Sequence, residues 1–416
     1  MWMCSYISLL FAGPSSGEVL FVLAGLSLAY AGLCNTRHGG SLAQSVWIGG
    51  ISALLNLLLL GSLVGGDSNQ GMFEKGASWF AILLAGSVLL SVAGAAVGRT
   101  MQRYSTGVDW QYRFFVTASL LVFLMLVTGG LVTGMEAGLA VPDWPNSYGH
   151  NMLLYPLTEM VSPDHEGVFF EHAHRLSGMY VGLASLVMLV CAWRWSTKSS
   201  IRFAATVVFV LVCLQGLLGG LRVTGHLTLS QDPKELNPNL WIGVVHGVVG
   251  QLIFAGFVWI TAMMSPTWKS PSAETNTSAK DVRWGWVLVC AMVLQLILGA
   301  LYRHMLGDEQ LAPRATHVLY THIVLALVVL AVAVVLGLRF RLRINNVLRT
   351  YGALLLGLVG VQLVLGVGAL ISILLRSGTD IPAYEVVFTT LHQANGALLL
   401  GASVASLAWA RRFCGV

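Results

Sequence analysis

Glu171-His172-Ala173-His174-Arg175-Leu176-Ser177-Gly178 stands at the mouth of an apolar run that continues to Trp193. An acid, a guanidinium and two imidazoles at the edge of a membrane-length segment are costly to desolvate, so the cluster points to a function. The rest of the chain is of the same character. Of its 416 residues 56% are hydrophobic and only 10% are charged, which excludes an ordinary water-soluble globule. The composition predicts an all-α polytopic membrane protein with membrane lipid as its surroundings. The net charge of +5 is read for topology and gives no nucleic-acid partner. No Lys or Arg precedes the first apolar stretch and no small-residue cleavage site follows it, so a removed signal peptide is not expected.

Apolar runs of about 20 residues, the length that crosses a hydrocarbon core, predict eleven spans. They lie near 17–34, 46–65, 77–98, 113–134, 170–193, 202–222, 240–263, 283–303, 316–338, 350–375 and 385–410. The first is the weakest, because Glu18 sits at its start and residues 1–12 form an apolar tail of their own. Sixteen of the 23 basic residues, among them Arg99, Arg103, Arg194, Lys198, Lys280, Arg339, Arg411 and Arg412, fall on one side. Lys75, Arg175, Arg222, Lys234, Arg303, Arg314 and Arg376 fall on the other. The positive-inside rule then puts the C-terminus in the cytoplasm and the N-terminus outside, in a bacterial-type cytoplasmic membrane or an equivalent inner membrane. The extended polar segments are 135–169 and 223–239 outside and 266–282 inside. The last, rich in Ser, Thr and Pro, predicts a flexible linker.

This linker separates two sets of four helices that resemble each other. Leu214-Gln215-Gly216-Leu217-Leu218-Gly219 matches Val361-Gln362-Leu363-Val364-Leu365-Gly366 at an offset of 147. His246 matches His392 at 146, and His174 matches His322 at 148. Each set has an even number of spans, so the copies run in the same sense, as two pseudo-symmetric four-helix bundles in parallel orientation. The expected organisation is an extension of about three transmembrane helices over 1–104, a first repeat over 105–265, the linker 266–282 and a second repeat over 283–416.

His174, His246, His322 and His392 each lie a turn or two inside the outer end of an inward-running helix. Within each copy the two histidines are on the second and fourth helices, and bundles commonly build cofactor sites from such facing positions. Two imidazoles at one depth are what bis-His haem ligation needs. A single such histidine is equally well read as a hydrogen-bonded packing residue; four in a repeated pattern are not. His172 has no counterpart and is read as a neighbour facing water or the loop. Cys4, Cys34, Cys191, Cys213, Cys290 and Cys414 form no CxxC pair, which points to buried small hydrophobes and not to a thiolate metal site.

The copies differ where Glu171 is answered by Leu319 and Arg175 by Ile323. The first copy also has the longer outer loop, with Glu136, Asp143, Asp164 and Glu166. The asymmetry suggests one site for chemistry and one that holds a cofactor or passes electrons. The alternative for Glu171 and Arg175 is a salt bridge at a helix start, since residues four apart share a helical face. Arg175, Arg222 and Arg376 lie at outer helix ends, placed to pair with haem propionates or to snorkel.

Taken together, Gly129-Gly130-Leu131-Val132-Thr133-Gly134-Met135-Glu136-Ala137-Gly138-Leu139, Glu171-x-x-His174-Arg175, Leu214–Gly219 and Leu391-His392-Gln393-Ala394-Asn395-Gly396-Ala397 resemble the haem A synthase family of cytochrome-oxidase assembly proteins. The resemblance covers roughly residues 105–412 and leaves residues 1–100 without a place. It implies an enzyme that oxidises the C8 methyl of haem O to a formyl group, giving haem A for respiratory terminal oxidases. It also implies that His174 and His246 flank the haem O substrate with Glu171 as the acid near the reacting edge, and that His322 and His392 ligate a haem B. Haem O synthase and the terminal oxidase are the protein partners this suggests. Two departures stand out. The second copy reads Thr321-His322-Ile323 where the family often has His-Arg, which leaves His317 as an alternative ligand, and the outer loop lacks the cysteine pair of one branch of the family. A di-haem electron-transfer cytochrome and a non-enzymatic haem chaperone use the same histidines and remain rival readings; a transporter lacks its midplane charges.

Overall fold

The computed structural model describes residues 16–64, 72–101, 109–153, 155, 157–160, 167–196, 198–224, 240–270, 278–306, 311–378 and 380–414. The tail 1–12 with Cys4, the residues Arg103, Asp164, Glu166 and Lys234, the side chains of Glu18 and Lys75, most of segment 223–239 and residues 271–277 of the linker lie outside them. Each of the eleven expected spans falls in a long helix: α1 Ser16–Arg37, α2 Leu42–Val64, α3 Met72–Thr100, α4 Trp110–Gly134, α6 Val168–Trp195, α7 Ser199–Val223, α8 Leu240–Met264, α10 Ala279–Met305, α11 Ala312–Arg341, α12 Asn346–Leu374 and α13 Ala383–Cys414. Two one-turn helices, α5 Leu157–Met160 and α9 Pro266–Lys269, and a two-stranded hairpin, β1 Asn146–Ser147 with β2 His150–Asn151, complete the described elements. Among the described residues nine helices, α3, α4, α6–α8 and α10–α13, are long and apolar enough to cross a membrane. The protein is an all-α polytopic integral membrane protein.

The chain forms two compact units, residues 1–109 with 137–176 and residues 110–136 with 177–416. In the first, α1, α2 and α3 pack on one another. A Cβ added at Gly94 would stand 1.8 Å from the Ala29 carbonyl oxygen, and one at Gly32 equally close to that of Ser91, so only glycine permits this approach. Small hydroxyls bridge the seam, from Thr36 Oγ1 to the Ala95 carbonyl at 2.7 Å and from Ser91 Oγ to that of Ser45 at 2.9 Å. In lipid, where helices gain nothing from hiding apolar surface from water, close backbone approach and hydrogen bonds of this kind hold helices together.

In the second unit α13 is the central helix, packed against α4, α8, α10 and α12. Its residues Leu399–Ala410 are continuously buried. One apolar core gathers Phe115, Met188, Ala205, Phe254 and Phe257 from α4, α6, α7 and α8; another gathers Leu288, Val332, Leu336, Leu348, Leu355 and Leu407 from α10–α13. The outward faces are apolar as well, as with Val364, Val367 and Ile371 of α12, which suits a lipid surround.

At the end of this unit that carries Arg339 and Arg343, the start of α10 is tied to the end of α11. Ser278 and Asp281 form a capping box. The fully buried Asp281 carboxylate also receives Arg339, at 2.7 Å, and Arg343. Removing the carboxylate leaves two guanidinium groups facing a desolvated site. We expect Asp281→Ala to lower stability by about 3 kcal/mol, read as earlier thermal unfolding of the purified protein in detergent. Wild-type unfolding in that variant would contradict the assignment.

Candidate functional site

In the second unit each of three histidines is met by the same pair of residues on the preceding helix. Gln295 of α10 donates its amide to the backbone carbonyl of His322 at 3.0 Å, and Gln362 of α12 does so for His392 at 3.1 Å. Gln215 of α7 makes the same bond to His246. Four residues beyond each glutamine is a glycine against which the ring lies. A Cβ at Gly219, Gly299 or Gly366 would stand 3.3, 3.0 and 3.0 Å from Cε1 of His246, His322 and His392. On the histidine helices, Gly250 and Gly396 in turn make room for the Gln215 and Gln362 amides. In the sequence Gln215 and Gln362 stand out only as landmarks of the repeat, and Gln295 does not stand out at all. On α4 the glutamine is replaced by Met125, four residues before Gly129, and its Cε packs on Gly178 of α6.

The His322 and His392 rings are half-buried, with centroids 6.3 Å apart and planes inclined at 67°. Two metal–nitrogen bonds of about 2 Å placed trans, with a ring radius at each end, put imidazole centroids about 6 Å apart. The donor set therefore fits an iron that brings its own equatorial ligands. Among the described residues no group of three or more His, Cys, Asp or Glu could hold a bare ion. His322 Nδ1 lies 3.1 Å from the Gln295 carbonyl. Donation there leaves Nε2 as the free lone pair, the usual way a second partner orients a ligand histidine. His317 is exposed near the start of α11 and takes no part in the pair. The motif around His392 is accounted for residue by residue: Gln393 donates to the Leu126 carbonyl of α4 at 3.4 Å, and Asn395 to Gln362 Oε1 at 2.7 Å.

Three other polar groups of this unit have partners that the sequence does not foretell. Glu385, at the start of α13, is a buried acid 3.6 Å from Arg376, so the second set has an acid–guanidinium pair of its own, at a position unrelated to Glu171. Arg303 donates to the Thr133 carbonyl at 2.7 Å and lies 3.6 Å from Glu136. The His304 ring meets Gly243, one turn before His246. Arg222 is half-buried near the end of α7.

In the first unit, Glu171 is 4% exposed and both its oxygens are engaged. Oε2 accepts from Val141 N–H at 2.9 Å and Oε1 from Arg175 at 2.6 Å. Arg175 also donates to the carbonyls of Val141, Asp143 and Asn146, at 2.7, 2.6 and 3.1 Å. The expected salt bridge is present, and it pins the outer loop. That loop turns at Tyr148 and Gly149, both with positive φ, as a two-residue hairpin of this kind requires. The Asp143 carboxylate accepts from both their backbone N–H groups, at 2.7 and 2.8 Å.

His172 is fully buried and faces the loop, 3.0 Å from Ser147 Oγ, with its ring against Tyr155. Burial first, then the neighbouring Tyr148, pushes the Tyr155 phenol up to about 12, so it stays protonated at neutral pH. His174 follows Glu171 by three residues on α6.

The sequence model of a family described as cytochrome oxidase assembly protein matches residues 112–308. That range contains Glu171, His174, Arg175, Arg222 and His246 and ends before His322 and His392, short of the 105–412 expected from the motifs. Among curated proteins the chain is similar to the heme A synthase of Beijerinckia indica, 27% identical over 205 residues covering 44% of this chain and 55% of the relative. It is also similar to that of Bradyrhizobium sp. BTAi1, 28% identical over 207 residues covering 44% and 53%. For that of Sphingopyxis alaskensis the figures are 24% over 212 residues, covering 45% and 57%. The chain spans about half the length of the curated relatives it matches.

The geometry of the loop predicts a direct outcome. In Glu171→Ala the Val141 amide loses a charged acceptor, a bond worth about 1.5 kcal/mol or more. Hydrogen–deuterium exchange in residues 137–149 should therefore speed up about tenfold. Unchanged protection of Val141 would show that the loop is held by something else. Over residues 112–308 the likeness to haem A synthases of the cytochrome oxidase assembly family, first read from the motifs, is borne out.

Proposed function

We propose that this chain is a haem O-oxidising membrane oxidoreductase that converts the C8 methyl of haem O to a formyl group, yielding haem A for terminal oxidases. The observation that carries the reading is the similarity to heme A synthases across the range that contains Glu171, His174 and His246. His322 and His392 are assigned as the residues that would hold a resident haem B, because their half-buried rings lie 6.3 Å apart, centroid to centroid, in one bundle. A bound haem supplies one-electron chemistry whose potential is set by its axial ligands and surroundings. The chain's part is to orient the imidazoles through Gln295 and Gln362 and to keep the rings in the spaces left by Gly299 and Gly366.

His246, in the same Gln–His–Gly setting as His392, is proposed as a ligand of the haem O substrate. His174 is proposed for the same substrate from the repeat offset alone. The Gln–His–Gly setting shared by His246, His322 and His392, and contacts of α4 with α13 and of α8 with α10, support two related four-helix bundles in parallel orientation. The basic helix ends with the C-terminus are assigned to the cytoplasm and the histidines to the outer half. Haem O synthase and the terminal oxidase are the protein partners that would deliver substrate and take product.

Oxidation of a methyl to a formyl carbon takes up one oxygen from water and releases four protons and four electrons, the electrons passing to an external acceptor. Glu171 is proposed to accept or relay the protons. The engaged carboxylate sets how the role is tested. Glu171→Gln keeps an oxygen acceptor for Val141 N–H but cannot take a proton. With a haem O source, membranes bearing the wild-type chain should form haem A, whereas Glu171→Gln should form about a hundredfold less while loop exchange stays as in wild type. Bound haem released unchanged by the wild-type chain would replace the enzyme by a haem carrier. Full haem A formation in Glu171→Gln would remove the acid from the mechanism.

A further inference from the structure

Between the start of α7 and the ends of α8 and α13, all within the second unit, an open pocket of about 700 Å³ has no part in the site above. Lys198, Arg411 and Arg412 stand around it, Trp259 and Trp268 form its aromatic walls, and Met263 lies on its apolar side. No acidic side chain lines it, and among the described residues none of the three cations is in an ion pair. The floor is rigid. Trp268 is 9% exposed, packs edge-on against Trp409 at 4.8 Å, and donates its backbone N–H to the Ser265 side chain at the start of α9. Arg412 lies over the Trp268 ring at 6.0 Å and donates to the carbonyls of Trp268 and Ser270, at 3.4 and 3.3 Å. Only one of its terminal nitrogens is used in this way.

Among the described residues these three cations have no acidic partner, so an anion placed between them and the apolar wall would be held by charge-assisted hydrogen bonds. Their setting defines that anion. Indoles and cations at helix ends mark the membrane–water boundary, where basic pockets between helices take acidic lipid headgroups. We propose that this pocket is a binding site for an anionic phospholipid. Its phosphodiester is held by Lys198, Arg411 and Arg412 through charge-assisted hydrogen bonds. Its glycerol backbone lies against Trp259 and Trp268, and its acyl chains run along the Met263 side. The lipid would join the start of α7 to the end of the central helix α13, and so the first helix set to the second.

The test uses the purified full chain in detergent, with lipid binding followed by native mass spectrometry. Dioleoyl phosphatidylglycerol should be retained at least tenfold more tightly than dioleoyl phosphatidylcholine. Each cation at such a surface contributes about fivefold, so Lys198→Gln with Arg411→Gln should weaken phosphatidylglycerol tenfold or more, while Lys198→Arg with Arg411→Lys keeps it. Equal retention of the two lipids by the wild-type chain would overturn the proposal without recourse to any variant. So would wild-type affinity in the double glutamine variant. Displacement by inorganic phosphate as effectively as by unlabelled phosphatidylglycerol would make the pocket a site for soluble anions and would also refute the lipid.

Discussion

An imidazole inside an apolar bundle needs a space for its ring and a setting that fixes its direction, and here one neighbouring helix supplies both. A glutamine and a glycine four residues apart lie on one face of that helix. The amide donates to the histidine's own backbone carbonyl while the glycine leaves room for the ring. The arrangement is economical in lipid, where a helix has no water to satisfy a misplaced polar atom. It also preorganises the ring. Ring position is set by a close contact with backbone that cannot relax, and at His322 the proton is drawn to Nδ1 by the Gln295 carbonyl. Where Met125 stands in for the glutamine, the polar half of the device is absent, and this is on the helix that faces the stretch following His174.

The spans and the common placement of His246, His322 and His392 were legible because their signals are one-dimensional. A membrane-length apolar run needs no knowledge of neighbours, and a repeat offset needs only counting. The partners were not legible for the opposite reason. Gln295 stands 27 residues before His322, whereas Gln215 and Gln362 stand 31 and 30 before theirs, so the common role appears only when helices are side by side. Glu385 resembles any acid at a helix start, and its burial comes from tertiary packing. Asp281 likewise reads as a capping residue; that it receives two arginines from the far end of α11 is set by a fold-back about 60 residues long. The outer loop hides its structure in a hairpin too short for period-two alternation to register.

Glu171 is the residue whose meaning changed most between sequence and structure. The salt bridge and the reactive acid stood as alternatives. The geometry makes the first a fact and constrains the second. A carboxylate with both oxygens engaged, one by a guanidinium and one by a backbone amide, is held in one orientation. Such a group joins loop to helix, and any proton it takes must come at the expense of the Val141 or Arg175 bond. Loop position and protonation are therefore coupled in the proposed mechanism.

The central claim, that His322 and His392 hold one haem between them, is tested most directly by electron paramagnetic resonance of the purified full chain. The account predicts a low-spin ferric signal of the bis-imidazole type that is lost in His322→Ala and in His392→Ala and retained in His317→Ala. An unchanged low-spin signal in either of the first two variants, or its loss in His317→Ala alone, would contradict it.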